Sequence, residues 1–268
     1  MSIIYVDLKR LKRIILHYSD LIYCYTKANV RGEVARNFLG YAWWSLEPLL
    51  GMLVYYMVFA VGLRLGDENF LTFLLVGTSF WLWFNKSVSQ SANSITKAKG
   101  IILSAKVSKI VFPLAAVLHT AVKQIVVVGV LLAFLPLAGI EITKYWLLLP
   151  IIMIVQLAFI AGISLACSIV VPIIPDLGFL IDTVLRLMFF VSGVLFSLDK
   201  IGPPYGMYLY YSNPMAGLLT NYRAILLDGK LPDFAFLAGC FVFSVLLCLI
   251  AGYILRRLDS YYPRWVLK

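Results

Sequence analysis

Residues 234–255 read FAFLAGCFVFSVLLCLIAGYIL, a run with no charged residue that stops at Arg256-Arg257. About 20 consecutive apolar residues suffice for a helix to cross a bilayer core, so this run predicts a transmembrane helix. Working outward, five more apolar segments precede it, at 38–63, 70–85, 110–135, 145–171 and 177–198. The second is short, and the polar turns from Lys86 to Ser94 extend it. Pro48, Pro113 and Pro150 lie near or inside these segments, where neighbouring helices can satisfy the carbonyls that a proline frees. Composition agrees: 62% of the 268 residues are hydrophobic and 13% charged, whereas soluble domains run at roughly half and a quarter. Lipid must be the solvent for much of that surface. The predicted fold is an all-α integral membrane protein of six transmembrane helices.

The placement of lysine and arginine sets the orientation. Seven fall between the N-terminus and Arg36, four in the 95–112 loop and four from Arg256 onward, all on one side of a six-span chain. The opposite side carries five: Arg64, Lys144, Lys200, Arg223 and Lys230. Cytoplasmic loops are the basic ones, so fifteen against five predicts both termini in the cytoplasm of a multi-pass membrane protein. The net charge of +10 follows from these loops and does not call for nucleic acid. Four cysteines without a CxxC pair, and two distant histidines, suggest neither a disulfide framework nor a metal.

The N-terminal region is charged from Asp7 to Arg13 and lacks the short apolar core of a signal peptide. Leu8, Leu11, Ile15, Tyr18, Ile22 and Tyr25 step by three and four, which predicts an amphipathic interfacial helix. Between spans five and six, residues 199–233 are too long for a turn. Asn213-Pro214 reads as a helix start, a cap followed by proline at the first helical position. Met215, Leu218, Leu219, Tyr222 and Leu226 then form one face, and Asp228-Gly229 ends it. A helix so short cannot span, so a re-entrant hairpin entering from the outer side is expected. Tyr205, Tyr208, Tyr210 and Tyr211 crowd the same hairpin and equally fit an aromatic belt at the headgroups. The chain is thus one domain, 1–268: an interfacial helix over 1–37, five spans over 38–198, the hairpin over 199–233, and span six with its tail over 234–268.

Catalytic signatures are missing from the sequence. Gly229-Lys230 is followed by Leu231 and lies outside any G-x-x-x-x-G-K-[ST], so no phosphate-cradling loop is encoded. HExxH, G-x-S-x-G and clustered carboxylates with a histidine are absent too. No catalytic, cofactor or metal residue is assigned, and the chain is read as a non-enzyme.

Three stretches carry a family resemblance: residues 36–50 (RNFLGYAWWSLEPLL), 93–113 (NSITKAKGIILSAKVSKIVFP) and 213–229 (NPMAGLLTNYRAILLDG). In order and in register with six spans, they resemble the permease subunits of ABC-2-type exporters of bacterial polysaccharides, and Leu46-Glu47-Pro48 looks closest to the O-antigen and capsule branches. The resemblance implies a channel of two copies of this chain. Two separate ATPase subunits would hold the ATP and magnesium, and the cargo would be a polysaccharide, O-antigen or capsular in type, on an undecaprenyl-type lipid. It also implies a coupling region at 95–110, with Lys97, Lys99, Lys106 and Lys109 flanking Ile101, Ile102 and Leu103. The cytoplasmic gate would be the helix bearing Leu8 to Tyr25. The outer gate would be the hairpin with Tyr205, Tyr208, Tyr210, Tyr211, Asn213, Pro214, Tyr222 and Arg223.

A conduit for sugar rings needs aromatic planes for C–H faces and a few exchangeable polar groups. Candidates are Trp43, Trp44, Tyr55, Tyr56 and Phe59 on span one, Trp81, Trp83 and Phe84 on span two, and Phe189 and Phe190 on span five. Ser87, Ser89, Gln90 and Asn93 would give the inner end of span two a hydrated face. Asp182 and Arg186, one turn apart with the acid first, are expected to pair, or else to line a hydrated wall. Glu47 and Lys123 have no partner legible in the sequence. An ion- or proton-coupled secondary transporter is the alternative, although the halves show no internal repeat of the kind such proteins carry.

Overall fold

The computed structural model describes residues 2–36, 40–62, 69–105, 107–259 and 261–262; for residues 2–17 and Arg36 it describes the backbone alone. Every regular element among them is helical. Helix α1 is Ser2–Arg36 and α2 is Ala42–Tyr56, the latter carried on by a π-helical stretch, Met57–Gly62. Next come α3, Phe70–Ala92, and two short helices, α4, Ser94–Lys97, and α5, Lys99–Ser104. Then follow α6, Val111–Leu137; α7, Leu149–Val170, entered through a 3-10 turn; and α8, Asp176–Val191. The chain closes with α9, Tyr205–Ser212; α10, Pro214–Leu226; and α11, Phe234–Leu258.

Four stretches among the described residues are long and apolar enough to cross a membrane: Ala42–Gly62, Val111–Leu137, Lys144–Val170 and Phe234–Leu258. The segments expected as spans two and five, α3 and α8, do not meet that standard. Helix α8 has only 16 residues. Helix α3 is long enough, with 23, but too polar, and its position explains why. It packs against α2, α6, α7, α8 and α10, so its side chains meet protein on nearly every face. Thr78, Ser79, Ser87 and Ser91 are buried in it. Thr78 Oγ1 donates to the Leu74 carbonyl at 2.8 Å and Ser87 Oγ to that of Trp83 at 2.7 Å, so these two hydroxyls are satisfied on their own helix, whereas Ser91 Oγ donates across to the Pro113 carbonyl of α6 at 3.2 Å. The flanking helices instead turn leucine, valine, isoleucine and phenylalanine outward, as α11 does with Val242, Phe243, Leu246, Leu249 and Ile250.

The amphipathic stripe of the N-terminal segment continues further than Tyr25, in a single helix to Arg36 laid along α6. Tyr25 meets Phe112 edge-on at 5.5 Å, and Thr26 Oγ1 donates to the Ala115 carbonyl at 3.3 Å. Tyr18 and Ile22 are half-buried; the side chains of Leu8, Leu11 and Ile15 lie outside the described residues.

The Asn213-Pro214 start is present as expected. Asn213 Oδ1 accepts from the backbone N–H groups of Met215 and Ala216, with Pro214 at the first helical position. A polar knot fixes the hairpin: Asn221 Nδ2 donates to Tyr210 Oη at 3.0 Å, Tyr210 donates to Asp233 at 3.2 Å, and the Asp233 N–H donates to Asn221 Oδ1 at 2.6 Å. Asp233 in turn caps α11 by accepting from the Phe236 N–H. Helix α9 leaves Tyr205, Tyr208 and Tyr211 exposed, but α10 is inside the bundle. Tyr222 is fully buried and stacks on Phe80, the rings 3.6 Å apart and nearly parallel.

Arg223 is likewise buried. Its Nη1 donates to the Gly193 carbonyl at 2.6 Å, and its Nη2 to Val194 at 2.9 Å and Phe73 at 3.4 Å. The guanidinium lies flat over the Phe73 ring, 3.4 Å from its centre, and fills the space above Gly77. A Cβ on Gly77 would stand 2.4 Å from Nη2 and 3.0 Å from the Val194 carbonyl. Charge-assisted hydrogen bonds contribute about 1.5–3 kcal/mol each. Arg223→Met should therefore destabilise the protein by about 3 kcal/mol or more, and Gly77→Ala should act in the same direction by evicting the guanidinium. Thermal unfolding of purified protein in detergent measures both, and unchanged melting would show that the cation holds nothing together.

Candidate functional site

The charges that the sequence leaves without partners meet across helices. Glu33, two turns beyond the expected stripe of α1, accepts from Lys123 Nζ of α6 at 2.5 Å; its other oxygen lies 3.0 Å from His119 Nε2. Glu47 of α2 pairs with Lys86 of α3. Lys123 Nζ also stands 5.6 Å from the centre of the Trp44 ring, within reach of a cation–π attraction. Four helices are joined in this way at the end of the bundle nearer the α4–α5 turn.

Two concavities adjoin this network. A groove of about 600 Å³ runs between α2, α3 and α8, lined by Tyr55, Trp81, Phe189 and Phe190 together with the polar Thr78, Asn85 and Arg186. A side cavity of about 180 Å³ lies between α1, α2, α3 and α6. Trp43, Glu47 and Leu82 line both and form the wall between them. Tyr55 stacks on Phe189 at 5.1 Å and Trp81 meets the same ring edge-on at 5.9 Å, so the groove floor is a continuous aromatic surface.

Of the ten aromatics expected to line a conduit, Trp43, Tyr55, Trp81, Phe189 and Phe190 are on the groove, and Trp44 and Trp83 are on the side cavity. Phe84 is in the core, stacked on Phe159 at 5.6 Å. Tyr56 and Phe59 pack against that core. Asp182 and Arg186 do not pair. Asp182 accepts from Ser89 Oγ of α3 at 2.6 Å, while Arg186 is exposed on the groove. The partner helix offers the carboxylate a donor in a better direction than its own next turn does. Sequence reasoning missed Glu33, His119, Ser79 and Gln124. Glu33 was accessible, because the three-to-four step of α1 runs on through Thr26 and Val30 to reach it.

The 95–110 region is partly folded into the molecule. Ile102 is 6% exposed and joins Ile95, Ala98, Phe112, Leu255 and Tyr262 in a second apolar cluster. It is therefore not free to insert into a partner, because α11 already takes that face. Lys109 is buried too; its N–H and Nζ donate to Asp259 at 2.8 and 3.4 Å. Tyr262 donates to the Ile169 carbonyl at 3.3 Å, and burial pushes its phenol up to about 12. Ile101, Leu103, Lys97 and Lys99 remain outward. Lys106 lies outside the described residues.

Comparison with known proteins adds a family. Residues 21–227 match the model described as ABC-2 type transporter. The chain is 28% identical over 225 residues to the O-antigen export system permease protein RfbA of Myxococcus xanthus, covering 84% of this chain and 86% of that one. It is 27% identical over 240 residues to RfbA of Klebsiella pneumoniae, covering 89% and 92%. It is 25% identical over 214 residues to the polysialic acid transport protein KpsM of Escherichia coli, covering 76% and 80%.

The ion network makes a quantitative expectation. The Lys123 side chain is 11% exposed, so Glu33→Gln strands a cation in a poorly solvated place. Breaking one side of a buried pair costs about 3–5 kcal/mol, and Glu33→Gln should lower stability by an amount near the bottom of that range. Adding Lys123→Met should recover part of the loss. Unfolding measurements across the double-mutant cycle test this, and strictly additive effects would mean that the two side chains do not interact.

Proposed function

The chain belongs to the ABC-2 type transporter family, and we propose that it is the permease subunit of an ATP-driven exporter that moves a polysaccharide, O-antigen or capsular in type, out of the bacterial cytoplasm across the inner membrane. The observation that carries this is the groove, whose aromatic floor is broken by Thr78, Asn85 and Arg186. Sugar C–H faces pack on such rings while hydroxyls exchange hydrogen bonds with the polar groups. Contacts of this kind are individually weak, which lets a polymer slide. The functions named for the relatives, O-antigen export and polysialic acid transport, support the same cargo class. Family membership also favours ATP over an ion gradient as the energy source.

One groove is half a conduit. A second copy of the chain, set with α2 and α8 facing their counterparts, encloses the glycan between two aromatic walls. Helices α3 and α8 cross the bilayer with the four apolar ones, so that six spans place both termini and the α4–α5 turn in the cytoplasm. The α9–α10 hairpin is re-entrant from the outside, and α1 lies at the cytoplasmic interface as a gate. A lipid-linked glycan, undecaprenyl-type in its carrier, enters beside α1. Two ATPase subunits, which bind the ATP and magnesium, seat on the α4–α5 turn through Ile101 and Leu103, with Lys97 and Lys99 at the rim.

Loss of the chain should abolish surface polysaccharide and trap it inside the cell, and so should loss of the ATPase subunit. Export that persists without any ATPase removes the ABC mechanism. Interface anchors contribute about 1–3 kcal/mol each, so Ile101→Ala with Leu103→Ala should weaken ATPase association at least tenfold and reduce export with it. Ile102→Ala should instead lower the melting temperature of the isolated permease. Gly202→Cys should label from outside intact cells and Lys99→Cys only once the inner face is opened; the reverse pattern would invert the orientation.

A further inference from the structure

The side cavity between α1, α2, α3 and α6 has no part in a glycan sliding along the groove, yet its walls are unusual. Trp44 Nε1, Trp83 Nε1, Ser79 Oγ and Gln124 Nε2 all belong to residues that line it, all are more than nine-tenths buried, and none has a hydrogen-bond partner among the described residues. Buried polar groups without partners are few in native proteins. The four donor atoms are themselves shielded, so they are accounted for when these lining side chains turn onto something rich in acceptor oxygens that fills the cavity.

Charge narrows the class of that occupant. Glu33 and Glu47 face Lys86 and Lys123 in two pairs, so the cavity presents no net charge to draw an anion or a cation. What remains is a donor set of two indoles, an amide and a hydroxyl, beside carboxylates with lone pairs to spare. That combination suits hydroxyl groups, which accept from the first set and donate to the second. The volume, about 180 Å³, holds one six-membered ring or, at about 30 Å³ each, some six waters. The cavity also adjoins the groove through the shared wall of Trp43 and Glu47.

Resting on the polysaccharide function given above, we propose that this cavity is a subsite for a single neutral, hydroxyl-rich sugar residue, reached from the groove past Trp43. The groove carries the polymer without regard to which residue is passing; the side cavity admits one ring at a time. The cavity's two cations are already answered by Glu47 and Glu33, so nothing there repays the desolvation of a further carboxylate and an acidic sugar is disfavoured.

The test uses the complete permease–ATPase complex in lipid nanodiscs. The probes are methyl glycosides of glucose, galactose, mannose, rhamnose and N-acetylglucosamine, with methyl glucuronide as the acidic comparison. Tryptophan fluorescence and saturation-transfer NMR report binding. At least one neutral glycoside should bind saturably and more tightly than the glucuronide. Ser79→Ala and Gln124→Leu should each weaken it by roughly threefold to tenfold, the usual worth of one hydrogen bond. Trp44→Phe, which keeps a ring and removes the N–H, should do the same, and any of the three that fails to fold leaves the other two as the test. The subsite is overturned if no neutral glycoside binds, in which case only water fills the cavity. It is equally overturned if the glucuronide binds best, or if the folded variants bind like wild type. Deleting the chain from its host separates the two levels. Surface polysaccharide that survives deletion overturns the export function itself, whereas its loss alongside unaltered variant binding overturns the subsite alone.

Discussion

A charge taken out of water into a helical bundle is stable only where another group meets it, and in this chain the meeting is between helices. Glu33 of α1 answers Lys123 and His119 of α6; Glu47 of α2 answers Lys86 of α3; Ser89 of α3 donates to Asp182 of α8. Arg223 of α10 finds no carboxylate within pairing distance among the described residues and spreads its charge over three backbone carbonyls and a phenyl ring. Apolar packing between helices says little about which helix neighbours which when lipid is as apolar as leucine. The polar contacts select the neighbours, and α3 shares in three of the four.

That arrangement separates two kinds of surface. The groove between α2, α3 and α8 is mostly apolar, with five aromatic side chains along it, which suits contact without capture. The side cavity is smaller and carries Glu33, Glu47, Lys86, Lys123 and Gln124 beside its tryptophans. Between them stand the first two turns of α2, whose Trp43 is half-exposed and whose Glu47 is held by Lys86. Helix α1, fixed to α6 through Glu33, has five residues between its end and the start of α2.

Much of the fold was legible in the sequence because lipid imposes a strong pattern. The apolar runs at 38–63, 110–135, 145–171 and 234–255 became α2, α6, α7 and α11 with ends shifted by a few residues, and Asn213-Pro214 opened α10 as its cap chemistry required. The fifth segment was read too long, because Ser192 and Gly193 end α8 in a turn that hydropathy does not register. The site was less legible. Pairing along a helix can be read from spacing, so Asp182 and Arg186 suggested themselves. Pairing between helices depends on rotation about each axis, and no spacing reveals it. Lys109 and Ile102 misled for a related reason, since a basic, apolar loop looks the same whether it faces a partner or its own C-terminal helix.

The 16 residues of α8 rise about 24 Å at 1.5 Å each, short of a hydrocarbon core of roughly 30 Å. A bilayer meeting a short helix thins beside it, at a fraction of a kcal/mol per ångström of mismatch. Helix α8 also edges the groove and turns Phe179, Leu180, Leu187 and Phe190 outward. In the six-span arrangement proposed above, α8 thus sets the thinnest part of the bilayer beside the groove. The lipid-linked cargo of that proposal would meet its shortest hydrocarbon path between leaflets along this edge.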